Sequence, residues 1–108
     1  MKARWIGIPV IALMLLGAGE AWADEALARS SGCLECHSVG KKAIGPAFHD
    51  IAERYRNEAR ARATLIEKVK KGAKGSWTEV TGGVPMPPHS PRLSDAEIQR
   101  LVDWVMSL

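Results

Sequence analysis

Residues 33–37 read Cys33-Leu34-Glu35-Cys36-His37, two thiols separated by two residues and followed at once by an imidazole. Cys-x-x-Cys-His is the attachment signature of a c-type haem. Two thiols three positions apart on one helical turn reach the vinyl groups along one haem edge, and the next side chain brings its imidazole under the iron. Two other chemistries use cysteines this close. A thioredoxin-like dithiol needs a strand-to-helix setting that the flanking sequence does not offer. A zinc site wants further Cys or His ligands at matching spacing, and none follows. Cys33 and Cys36 are the only cysteines in the chain, and a disulfide between them closes too small a loop to restrain the unfolded chain. The expected cofactor is one covalently bound haem c, attached through Cys33 and Cys36 with His37 as an axial ligand of its iron.

An imidazole on a metal usually commits its other nitrogen to a hydrogen bond that fixes the ring. The turn Gly45-Pro46 is the candidate acceptor, through the carbonyl of Pro46. The other axial ligand must come from Met86, Met106, His49 or His89. Met86 is favoured because it stands between Pro85 and Pro87, where restricted backbone holds a thioether in place. Met106 falls near the end of a helix and His49 on a helix close after the attachment motif. His89, three residues past Met86, remains a rival. A His/His pair sits at lower potential than His/Met, since imidazole favours ferric iron more than a soft thioether does. Trp77 lies in the loop before Met86, where an indole N–H can reach a haem propionate; the alternative is a packed core aromatic. Trp104 reads as structural. Lys41, Lys42, Lys70, Lys71 and Lys74 offer either a positive rim that steers an acidic partner or a solvated face.

Before this region, Lys2 and Arg4 precede an apolar run from Ile6 to Leu16 that ends in Ala21-Trp22-Ala23, the order of a secretory leader. The run is too short for the roughly 20 apolar residues of a bilayer span. Residues 1–23 are therefore expected to be cleaved, leaving 24–108 as one small domain with no stable membrane insertion. The whole chain has 108 residues and a net charge of +3, and losing Lys2, Arg4 and Glu20 lowers that charge by one. Nothing resembles the dense Lys/Arg and aromatic clusters of a nucleic-acid binder. A domain this small usually needs a disulfide, metal or cofactor for stability. Here the haem would form the core.

Helices are predicted at Asp24 to Ser31, with acids in the first turn and Gly32 as its stop, at Ala47 to about Arg56, and at about Ala59 to Lys71. Between Gly72 and Leu93 no period survives, which predicts a long irregular loop of the kind that normally has a functional reason. Ser94-Asp95-Ala96-Glu97 is a capping box. It opens a last helix whose stripe Ile98, Leu101, Val102, Val105 and Leu108 needs a partner face, with Leu27 and Ala28 as candidates.

Taken in order, Gly32-Cys33-Leu34-Glu35-Cys36-His37, Ile44-Gly45-Pro46-Ala47-Phe48, Lys71-Gly72-Ala73-Lys74-Gly75-Ser76-Trp77 and Val84-Pro85-Met86-Pro87-Pro88, followed by a capped helix, resemble the class I c-type cytochromes. Within that class the match is to the short bacterial mono-haem electron carriers of the periplasm, the cytochrome c551-like subgroup. The resemblance implies an all-α fold of about four helices around one covalently attached haem, with His37 and Met86 as axial ligands. It further implies Pro46 as acceptor from His37, and Lys68 with Trp77 near a propionate. Thr78 to Gly83 is longer than the usual connection, and His89 stands where an Asn commonly supports the sulfur.

The function expected is single-electron transport between redox protein partners in the periplasm, by a monomer that is not an enzyme. Two rivals differ in class. One is a haem subunit of a larger oxidoreductase, which a stoichiometric partner would reveal. The other is a peroxidatic or small-ligand-binding haem protein, which requires an open sixth position.

Overall fold

The computed structural model describes Gly7 and residues 16–108. Residues 1–6 and 8–15 of the expected leader lie outside the described residues. The elements are α1 (Leu16–Ser30), α2 (Cys33–Cys36), α3 (Phe48–Tyr55), α4 (Ala61–Lys71), α5 (Thr78–Thr81) and α6 (Asp95–Met106). The fold is all-α, with four longer helices as expected and two single turns, α2 and α5. Among the described residues, β structure is limited to an isolated antiparallel bridge between Ala73 and Met86. No described helix is long and apolar enough to cross a membrane. The expected first helix, 24–31, is the second half of α1, which runs unbroken through the Ala23–Asp24 bond.

Local chemistry sets the boundaries. The N–H of Ser31 closes the last turn of α1 on the carbonyl of Leu27 at 2.9 Å. Gly32 then takes φ +85°, a left-handed conformation that glycine adopts without a Cβ penalty, and the chain turns into α2. In α3, Phe48, Ala52 and Tyr55 are buried at helical spacing. Lys68, Lys70 and Lys71 sit in the last turn of α4, facing the negative end of its dipole. At the start of α6 the capping box is complete: Ser94 Oγ accepts from Glu97 N at 3.1 Å, and Glu97 Oε1 accepts from Ser94 N at 3.0 Å.

The last helix is the centre of the packing, touching α1, α3 and α4. Its Ile98, Leu101, Val102 and Trp104 are buried with Ala28, Phe48 and Leu93, and Leu27, Leu65, Ile66 and Val69 pack around them. Leu27 and Ala28 are thus the predicted partner face, joined by residues of α3 and α4. Full burial of a side chain such as Ile98 contributes roughly 1.5–3 kcal/mol. Val105 and Leu108, the end of the expected stripe, are only partly buried. Exposed ion pairs lace the same helix to its neighbours: Arg100 to Asp24 at 2.7 Å, Lys70 to Asp95 at 3.3 Å and Arg62 to Asp103 at 2.7 Å. Each such exposed pair contributes little by itself.

Candidate haem site

The single turn of α2 sets both thiols of the attachment motif on the wall of a cavity of about 330 Å³. Both cysteines are free and partly buried. Burial pushes the Cys33 thiol up, while nearby Arg92 pulls it the other way.

His37 ends that turn. Its N–H still bonds to Cys33 O at 2.9 Å, but its backbone is extended, at φ −116° and ψ 155°. The ring leaves the helix and lines the cavity. His37 Nδ1 lies 2.7 Å from the carbonyl oxygen of Pro46. A carbonyl only accepts, so Nδ1 carries the proton and the lone pair is on Nε2, the tautomer that an axial imidazole needs. Burial pushes the His37 pKa down and so favours the neutral ring, against the pull of the Pro46 carbonyl.

The turn that supplies Pro46 is held by Gly45 N–H to Cys36 O at 2.7 Å. A Cβ on Gly45 would come 2.7 Å from His37 Cε1, so only glycine lets the ring stand there. Phe48 stacks on His37, with ring centroids 4.9 Å apart and planes at 21°. Trp104 meets Phe48 edge-on at 5.5 Å. Three rings therefore run from the core to the imidazole, and the structural role expected of Trp104 includes bracing it.

Met86 also lines the cavity, from the loop after α5. Ala73 N–H bonds to Met86 O at 3.1 Å and Met86 N–H to Ala73 O at 2.8 Å. The backbone at the thioether is thus tied to the end of α4. Gly72, at φ +83°, lies against it: a Cβ there would be 2.7 Å from Met86 O and 3.1 Å from Pro88 N. The other sixth-ligand candidates separate by place. Met106 packs against the core and His49 is exposed, and neither lines the cavity. His89 lines it and is buried.

Trp77 and Lys68 line the same cavity. Lys68 Nζ donates to Ser76 Oγ, and the Arg54 guanidinium lies 4.3 Å above the Trp77 ring while donating to Ser76 O at 2.8 Å. Arg54 also pairs with Glu79 of α5 at 3.8 Å. Sequence reasoning passed over Arg54 because its partners are more than twenty positions away. Two of the lysines expected on a positive rim are engaged elsewhere, Lys70 with Asp95 and Lys71 with Glu67. Lys74 lines the cavity. The exposed large apolar residues Ile44 and Val84, 51% and 53% accessible, also border it.

These donors fit a haem: two thiols on one turn for covalent attachment, a neutral imidazole held by its far nitrogen, and a thioether on anchored backbone, all around one cavity. The comparisons with known proteins agree. The family model for cytochrome c matches residues 24–108. Over 108 residues the chain is 42% identical to cytochrome c-552 of Nitrosomonas europaea, covering 100% of this chain and 99% of that one. It is 39% identical to cytochrome c-551 of Pseudomonas aeruginosa over 106 residues, covering 92% and 96%. The crystal structure of the wild-type Nitrosomonas europaea cytochrome c552 is similar with a TM-score of 0.70 at 39% identity, over 78% of this chain and 98% of that one. With its single covalently attached haem c, the chain belongs to the cytochrome c family, among the small bacterial electron-carrying members.

Proposed function

We propose that this electron carrier works in the periplasm as a monomer freed of residues 1–23, passing single electrons between redox proteins and catalysing no reaction of its own. In this reading Cys33 and Cys36 form the thioethers and His37 and Met86 hold the iron. The observation that carries it is that two anchored donors, His37 and Met86, line one cavity. His37 is pinned by the Pro46 carbonyl and the Phe48 ring, and Met86 by its backbone exchange with Ala73.

Bound haem supplies a one-electron couple at its iron. The residues do the rest. Anchored as they are, His37 and Met86 would hold the iron with little rearrangement between its oxidation states. A thioether favours the ferrous state more than a second imidazole would, which sets a comparatively high potential. Tyr55, Val69 and Leu101 exclude water around the ring. Pro46 holds the proton of His37 at Nδ1. Lys68 and Trp77, which line the cavity beside Ser76, would hold the propionates. Exposed Ile44 and Val84 on the cavity border would form an apolar rim through which a partner protein approaches the haem edge, and Lys74 on the same cavity would favour a partner of acidic surface.

The experiment is spectroscopy on the holoprotein purified from a periplasm that matures c-type haem. The expected result is a mature chain beginning at Asp24, haem retained under denaturing conditions, and a ferric thioether-to-iron charge-transfer band that Met86→Ala abolishes. Haem released by denaturant, or a band that survives in Met86→Ala, contradicts the assignment.

A further inference from the structure

Two imidazoles line the cavity, and they differ in what they hold. His37 has committed Nδ1 to Pro46. His89 is 8% exposed, and its buried Nδ1 has no hydrogen-bond partner among the described residues. Buried ring nitrogens ordinarily find one.

The position of His89 is fixed independently of Met86. Its N–H bonds to Val69 O at 3.0 Å, its carbonyl accepts from Leu93 N at 2.8 Å, and the next residue, Ser90, bonds to Lys70 O at 3.3 Å. Met86 is held by Ala73 instead. The cavity is thus bordered by two independently anchored donors three residues apart, a thioether and an imidazole whose Nδ1 has no partner among the described residues.

Resting on the reading of Met86 as the native ligand, we propose that His89 is a reserve donor for the sixth iron position, taking it when the Met86 thioether leaves. The iron–sulfur coordinate bond breaks and a bond from the lone pair of one His89 ring nitrogen forms. The ring proton stays on the other nitrogen, and the oxidation state of the iron is unchanged. Ferric iron favours the exchange, because imidazole is the harder donor. Loss of Met86 therefore lowers the potential of the protein without opening its iron.

The test compares ferric holoproteins by electron paramagnetic resonance and redox titration at mildly alkaline pH. Met86→Ala is expected to be low-spin with the signature of two nitrogen ligands and a potential below the native one. Met86→Ala with His89→Asn is expected to be high-spin, and added imidazole should restore the low-spin signal. Met86→Leu serves as the same comparison if Met86→Ala is not recovered with haem. A high-spin single variant, or a double variant that stays low-spin, overturns the proposal. A native protein that already shows two imidazoles, a signature lost in His89→Asn, overturns it differently: Met86 is then not the resident ligand and His89 is.

Discussion

Ala73 and Met86 exchange both of their backbone hydrogen bonds, at 3.1 and 2.8 Å, across the loop between α4 and α6. Gly72 lies directly beneath this pairing. Gly72→Ala would push a Cβ to 2.7 Å from Met86 O and place a non-glycine residue at φ +83°. The loop must shift. We expect covalent haem to be retained while the ferric thioether band weakens or disappears, as measured by absorption at fixed haem content. An unchanged band would mean that the Ala73–Met86 pairing does not set the sulfur.

On the His37 side, Gly45→Ala places a methyl 2.7 Å from His37 Cε1 and 3.0 Å from Nδ1. The ring must shift. Overpacking of this kind costs about 1–3 kcal/mol, and a shifted reduction potential should accompany it. Denaturant unfolding and redox titration of the variant measure the two effects.

Phe48 carries the core into the site, 5% exposed and touching both His37 and Trp104. Phe48→Ala should destabilise the holoprotein by about 3–5 kcal/mol. Phe48→Leu should cost less while still broadening the His37 ring signals in the NMR spectrum, since most of the volume is kept but the stacked face is lost.

How much of this was legible in the sequence depends on distance along the chain. That Cys33, Cys36 and His37 would stand together was readable because their spacing is local to one turn. The capping box of Ser94 and Glu97 was readable for the same reason. Pro46 required only a turn nine positions on. The four residues of α5 were too few to show a period, so Thr78–Thr81 was read as loop. Gly72 was read as a helix stop, and its second role against Met86 O depends on chain returning fourteen residues later. Arg54 above Trp77 is the same kind of omission. Charge and aromatic content were visible, but their pairing was not.

The capping box gives a test with a sign. Ser94→Ala should cost about 1 kcal/mol. The Ser94 N–H holds the Glu97 carboxyl below the usual glutamate range. A carboxyl with a depressed folded pKa stabilises fully above its unfolded value of about 4.3 and loses that contribution as pH falls through the lower folded value. The stability difference between the native protein and Glu97→Gln should therefore be constant near neutral pH and shrink in acid. Chemical denaturation at several pH values checks this.

The central claim is that anchored donors close the iron to outside ligands, and the visible spectrum of the reduced native holoprotein before and after carbon monoxide tests it most directly. The account predicts an unchanged spectrum, because Met86 keeps its place. A prompt shift to a carbon monoxide adduct would contradict it and make the haem a ligand-binding centre.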